Sequence, residues 1–165
     1  MISIETIQDK LSKAFPDANI NIIINRGMYQ CEIPANRNLE IISFLKNDLG
    51  FQFLTDITAS HYPDEKGREL CIISHMHNLT ENTRLRLRAY VPIEQPDTSS
   101  LVSIFSGADW MERETYDFFG INFIGHPNLV RILNVDEMDY FPMRKEYQME
   151  DPTRLDKDDI MFGRE

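Results

Sequence analysis

Four histidines and a run of alternating arginines are the residues of this chain best suited to chemistry. His75 and His77 stand two apart, so on a strand both imidazoles project from one face, and Cys71 shares their parity. Such a set could approach one zinc-like ion. No further ligand stands at a persuasive spacing, and an ordinary polar strand end is the competing reading. His126 follows Glu114 and Asp117 and invites a general acid–base role, yet Gly125-His126-Pro127 reads more simply as a tight turn with a hydrogen-bonded imidazole. Arg84, Arg86 and Arg88 form the one basic stripe. It suits an anion or a carboxylate-rich partner, and equally a solvated strand face or pairing with the chain's own acids. The seven glycines are scattered, with no GxGxxG and no GxxxxGK[ST] pattern, so nucleotide and flavin binding are not expected.

The elements that position these groups are constrained by size and charge. At 165 residues the chain can bury roughly 70% of its unfolded surface, enough for one compact domain plus an arm. Its net charge of -10 repels phosphate backbones and anionic headgroups, so association with nucleic acid or lipid is disfavoured and partners should be proteins. Two separated cysteines, Cys31 and Cys71, cannot supply the four thiolates of an ordinary iron–sulfur cluster. A reducing compartment fits, although two cysteines could in principle pair. Met1 to Thr6 shows no secretory pattern, and no apolar run approaches the ~18 residues of a membrane span.

Periodicity supplies the order of elements. Ile4, Ile7, Leu11 and Phe15 predict an N-terminal helix that Pro16 stops. Ile20 to Ile24 and Tyr29 to Ile33 predict a hairpin around Asn25-Arg26-Gly27. A second helix is expected from Asn38 to Leu49, capped by Gly50. Three strands follow, Phe51 to Thr58, Leu70 to His77 and Arg84 to Val91. Pro92 to Ser100 reads as a connector. Helical patterning resumes at Leu101 to Phe105 and from Trp110 to Phe119, ended by Gly120. From Glu146 onward seven acidic residues face three basic ones, so little of that stretch can bury itself. The expectation is an α+β fold, a two-layer mixed β-sheet with helices packed on one face, over residues 1–120. An extended C-terminal docking arm would occupy residues 121–165.

The stretch from Trp110 to Phe119 mixes Glu112, Arg113, Glu114 and Asp117 with Trp110, Met111, Tyr116, Phe118 and Phe119. A helix so rich in both kinds cannot sort them onto two clean faces. Arg113 and Asp117 have i,i+4 spacing and could pair. The bland reading is a half-buried helix with solvated charges. The sharper one is a helix buried at a subunit interface, its charges neutralised across the contact.

The run Glu112-Arg-Glu-Thr-Tyr-Asp-Phe-Phe-Gly-Ile121, then Phe123-x-Gly-His-Pro-Asn-Leu-x-Arg-Ile-Leu133 and Pro142-Met-Arg-Lys-Glu-Tyr147, resembles the signature of the C-type subunit family of NADH:quinone oxidoreductase (respiratory complex I). Phe53 to Ile57, Tyr62-Pro63, Arg84 to Arg88 and Ser103-x-Phe105 are laid out in the same way, so the resemblance covers most of residues 51–147. Two departures fall in the arm: Tyr140-Phe141 before Pro142, and Gln148 where a proline is usual.

The resemblance implies a structural subunit of the peripheral arm, without flavin, cluster or metal of its own. Flavin and iron–sulfur clusters would sit on partner subunits. It would dock against the D-type subunit of that complex, with the B-type subunit and neighbouring iron–sulfur subunits nearby, close to the quinone site. Its place would be the cytoplasmic side of the cell membrane, held there by the complex. Carried over residue by residue, the docking candidates are Glu112, Arg113, Glu114, Tyr116, Asp117, His126, Pro127, Arg131, Arg144 and Lys145. One alternative is the equivalent subunit of an energy-converting nickel–iron hydrogenase or an F420-type dehydrogenase. Another is a free-standing enzyme using His126 or His75 and His77.

Overall fold

The computed structural model describes residues 3–147. The first helix, α1, spans Ile4–Ala14 and buries Ile7 and Leu11. Ser3 caps it by accepting the Thr6 N–H at 3.2 Å, satisfying one of the donors a helix start leaves unpaired. Gln8 ties α1 to the sheet: its amide donates to the Ile20 carbonyl at 2.6 Å and accepts the Ile22 N–H at 2.7 Å.

Strands β1 (Ile22–Asn25) and β2 (Met28–Pro34) form the expected hairpin. Arg26 and Gly27, the two loop residues, both have positive φ, 50° and 78°, as a tight two-residue hairpin turn requires. Helix α2 spans Asn38–Leu49, the range its periodicity predicts. Gly50 ends it in the left-handed conformation at φ 72°, and Asn78 donates to the Leu49 carbonyl at 2.9 Å.

Strands β3 (Phe53–His61), β4 (Leu70–Asn78) and β5 (Thr83–Val91) complete a five-stranded mixed sheet in the order β1-β2-β5-β4-β3. The β2–β5 pairing is parallel and the others are antiparallel. Leu85, Leu87, Ala89 and Val91 of β5 face Met76, Ser74, Ile72 and Leu70 of β4. These rows join Ile41, Ile42, Leu45 and Phe51 in one core, which places the helices on one face of the sheet. On the other face Cys71 and Gln30 are buried, while the β5 residues are half-buried or exposed and form the arginine stripe.

Three features depart from the expected order. Leu101 to Phe105 forms turns, not a helix, because its start is diverted: the Leu101 N–H donates to the Glu112 carboxylate at 2.6 Å. One isolated turn has too few bonds to propagate as helix. Within the connector lies a short strand, β6 (Asp97–Ser99), paired in parallel with β7 (Asn122–Ile124). Ile121 and Phe123, on the arm side of residue 120, are buried in the core. Helix α3 runs from Ala108 to Phe119 and ends at Gly120.

Leu45→Ala should empty the centre of the α2–sheet packing. The expected loss is about 2–5 kcal/mol of unfolding free energy, read by denaturant titration.

Candidate functional site

Helix α3 is where the sequence concentrates charge, and both of its buried acids are satisfied from within this chain. Glu112 is fully enclosed. The Ser100 hydroxyl donates to it at 2.7 Å and the Leu101 N–H at 2.6 Å. Burial raises its pKa, and those two donors offset the rise in part.

Asp117 is equally enclosed and lies about one and a half turns further on. Three successive backbone N–H groups, those of Ile132, Leu133 and Asn134, donate to its Oδ2 at 3.1, 2.9 and 2.9 Å. The Asn134 amide and the Arg131 guanidinium donate to Oδ1 at 3.1 and 2.7 Å. Burial alone would raise the pKa of this carboxyl. The N–H groups of Asn134 and Leu133, the Arg131 cation and the Ile132 N–H outweigh that and hold it well below the usual carboxylate range. Arg131 also reaches the carbonyls of Met138 and Tyr140, at 2.7 and 3.1 Å.

The i,i+4 pair expected between Arg113 and Asp117 does not form. Arg113 turns to the carbonyls of Val130 and Arg131, at 3.1 and 3.0 Å, and Asp117 takes Arg131. A neighbour on the same helix leaves a carboxylate partly wet, whereas the returning chain encloses it and supplies five donors. The carboxylates of Glu112 and Asp117 therefore lie inside the fold.

The remaining docking candidates divide by exposure. Glu114 and Pro127 are exposed. Tyr116 is half-buried, its ring 6.1 Å from that of Phe141. Arg144 donates to the Phe119 carbonyl at 2.8 Å, and its guanidinium lies 4.6 Å from the Phe141 ring centre, so it anchors its own chain. Gly120 permits this approach: it has φ 74°, and a Cβ there would fall 2.5 Å from Phe141 and 2.7 Å from Arg144. The Lys145 side chain is exposed, while its N–H donates to Nδ1 of His61 at 2.9 Å. The His126 side chain is enclosed. Nδ1 accepts the Asn128 N–H at 3.0 Å, which assigns the ring proton to Nε2, 3.2 Å from the Asp109 carbonyl. Both ring nitrogens are engaged in holding a turn.

Residues 125–147 thus lie back against α3 in turns up to the last described residue. The acid-rich stretch from 148 to 165 lies outside the described residues.

Residues 31–153 match the sequence profile of the respiratory-chain NADH dehydrogenase 30 Kd subunit. The chain belongs to this family.

The 30 Kd subunit family includes relatives named as C-type subunits of NADH-quinone oxidoreductase. That of Nocardioides sp. is 38% identical over 152 residues, covering 88% of this chain and 61% of its own length. That of Streptomyces coelicolor is 40% identical, covering 77% of this chain and 51% of its own. This chain therefore spans between half and two thirds of those relatives. The Citrifermentans bemidjiense protein is nearer in size, 37% identical with 88% and 89% covered. Among solved structures, the trypsin-resistant fragment (1-134) of Nqo5 superposes with a TM-score of 0.64 at 29% identity, covering 74% of this chain and 98% of the fragment. A chain of the membrane-bound sulfane sulfur reductase, an archaeal respiratory membrane complex, shares the fold with a TM-score of 0.75 at 23% identity, covering 88% and 85%.

The other chemical candidates of this 30 Kd family member are engaged locally. Arg86 donates from Nε to His75 Nε2 at 2.8 Å, and His75 Nδ1 lies 3.6 Å from Asp56. His77 lies 3.3 Å from the Asn82 side chain. Among the described residues no three His, Cys, Asp or Glu side chains converge as a metal site would require. Cys31 and Cys71 are buried free thiols, and burial pushes the Cys31 pKa up to about 12. No helix among the described residues is long and apolar enough to cross a membrane. His61 and the Lys145 latch had no signal in the sequence, since the pairing spans 84 positions.

Two outcomes follow from this geometry. Asp117→Asn should cost about 3 kcal/mol in unfolding free energy, because it leaves Arg131 without its charge partner. It should also raise amide exchange over residues 130–134. His61 accepts a hydrogen bond in its neutral form, and its folded-state pKa lies below the ordinary 6.5: burial depresses it first, Arg144 and Lys145 add to this, and Glu146 and Glu69 oppose it. The unfolded chain therefore takes up the proton first on acidification. The stability His61 contributes is full above about pH 6.5 and falls as pH drops below it. Amide protection factors at residues 141–147, which correct for the slower intrinsic exchange in acid, should fall between pH 7.5 and pH 5, roughly the window in which histidine titrates. His61→Gln, which retains an acceptor, should flatten that fall.

Proposed function

We propose that this chain is a cofactor-free structural subunit of the peripheral arm of a proton-translocating NADH:quinone oxidoreductase. In this reading α3 and the segment folded on it dock against the D-type subunit, near the B-type subunit and the quinone site. Neighbouring iron–sulfur subunits and a flavin subunit carry the electrons. The complex holds the chain peripherally at the cytoplasmic side of the membrane. The chain contributes to NADH oxidation and quinone reduction by fixing the position of its neighbour, since small misplacement of a reacting pair costs large rate factors.

The observation that carries this reading is the apolar surface displayed by α3 and the returning segment. Seven of the eleven large apolar side chains exposed among the described residues lie between Trp110 and Tyr147. Trp110, Leu133 and Val135 are 63%, 65% and 62% exposed. The backbone around Leu133 is held by the bonds to Asp117, so the display is built and not a consequence of slack chain. Large apolar side chains exposed in this number along one stretch of chain are characteristic of protein contact surfaces. The docking set suggested by the motif shifts accordingly. Glu114, Pro127, Tyr116 and Lys145 remain available at the surface. Glu112, Asp117, Arg131, Arg144 and His126 act by shaping it, and Arg113 braces the arm.

The equivalent subunit of another membrane-bound respiratory complex is a second reading, favoured by the likeness to the archaeal reductase chain. That likeness concerns fold, and fold alone does not assign activity. Co-purification with a flavin-bearing NADH-oxidising subunit separates the two. A free-standing enzyme is disfavoured by the enclosure of His126 and the local bonding of His75 and His77.

Leu133→Glu combined with Val135→Glu should leave the melting curve of the isolated chain nearly unchanged, within about 0.5 kcal/mol, because both side chains are exposed. In the native host the same variant should drop out of the complex recovered in mild detergent. Normal recovery of the variant with iron–sulfur subunits would overturn the assignment of this surface. Recovery of the unaltered chain as a lone monomer would overturn the subunit reading.

A further inference from the structure

The sheet face turned away from the helices has a composition at odds with the rest of the chain. Arg84, Arg86 and Arg88 stand at alternate positions of β5, so their stems are roughly 7 Å apart on this face. Arg68, from the loop between β3 and β4, joins them with its guanidinium 4.0 Å from the Tyr90 ring centre. Against these four cations the register sets two carboxylates, Glu32 beside Arg88 and Asp56 beyond His75. A chain of net charge -10 thus presents one face on which arginine outnumbers acid.

Arg68 is committed to Glu32, donating to that carboxylate at 2.7 Å, whereas Arg84, Arg86 and Arg88 keep most of their hydrogen-bonding capacity unspent. Arg88 packs 5.0 and 5.7 Å from the rings of Tyr90 and Tyr62 and donates to the Tyr62 hydroxyl at 3.3 Å. Arg86 donates from Nε to His75. Each contact uses a minority of the five N–H donors of a guanidinium. Arg84 is exposed, paired with His77 through the strand register but with no side-chain hydrogen bond or ion pair among the described residues. A cleft of about 400 Å³ opens beside it, between the β1–β2 turn at Gly27 and the β4–β5 turn at Asn82. The same face carries two exposed apolar side chains at its margins, Ile23 opposite Gln30 and Phe53 opposite His77, 49% and 48% exposed.

We infer that this open face is a second docking surface, for an aspartate- and glutamate-rich segment of a neighbouring subunit. Charge complementarity selects the occupant. Planar guanidiniums fixed by aromatic stacking match carboxylates in a bidentate fashion. The marginal Ile23 and Phe53 add apolar contact around the charged centre. The net negative charge of the whole chain opposes a nucleic acid or an anionic lipid surface, which would meet the chain's field at long range. An acidic protein segment can be placed locally by the rest of an assembly. The surface lies on the sheet face opposite the helices and does not include α3 or the returning segment. The inference rests on the subunit reading, because the partner is supplied by the complex.

The test uses the full chain in its native complex, with a photoreactive benzoylphenylalanine replacing Phe53 and the cross-linked peptide identified by mass spectrometry. The expected product joins this chain to an acid-rich segment of another subunit. Its yield should fall about tenfold with Arg84→Glu/Arg86→Glu, as expected for loss of charge steering at a docking surface. If that double variant fails to fold, Arg84→Gln/Arg86→Gln should still reduce the yield several-fold. A product with lipid, with a second copy of this chain or with a segment poor in acids overturns the inference. So does an intact complex that gives no product, or a yield indifferent to the arginines. A chain that migrates alone on native electrophoresis overturns the subunit reading as well, which separates the two failures.

Discussion

The segment from residue 125 to residue 147 depends on one buried carboxylate. Asp117 leaves water completely, and an ionised carboxylate in that position is tolerated only when its lone pairs are filled. Five donors fill them, all from residues 131–134. The segment that provides them has no helix or strand of its own. Its path is set by the requirement to aim three successive N–H groups and one guanidinium at a single point, much as a backbone nest encloses an anion. Arg131 extends the constraint by gathering the carbonyls of Met138 and Tyr140, and Arg144 closes it on the last carbonyl of α3.

Glu112 does the same work on the other flank of α3. It organises the turn at Ser100–Val102, so the helix is clasped upstream and downstream by its two buried acids. The consequence for function is indirect. With Glu112 and Asp117 consumed internally, the surface of α3 and the returning segment mixes exposed Trp110, Leu133 and Val135 with exposed charges at Glu114, Asp136, Glu137, Asp139, Lys145 and Glu146. Arginine has instead accumulated on the far face of the sheet, where Arg68 and Arg88 are stacked against tyrosines. One small domain therefore presents two chemically unlike surfaces.

Much of the fold was legible in the sequence because its signals are local. Alternation in Leu85 to Val91, the 3.6-residue recurrence in α1 and α2, and positive-φ turns at Gly27 and Gly50 each depend on a few adjacent residues. The strands β6 and β7 were not legible. Each has three residues, too few for a period to register, and they pair across 25 positions. The helical pattern at Leu101 to Phe105 misled because it records burial of Leu101 and Phe105, and burial is shared by helix and turn.

By itself the sequence determined that this is an α+β subunit of the 30 Kd family whose identity is concentrated between Trp110 and Lys145. It also determined that the arginines of β5 share one face. Only the tertiary structure decided which charge answers which. Spacing along α3 offered Arg113 to Asp117, but the chain returns and places Arg131 there. An enclosed carboxylate is bound far better by converging backbone and guanidinium donors than by one wet neighbour on its own helix. Periodicity carries no record of where an irregular segment goes, so the partners of Asp117 could be seen only once the chain was folded.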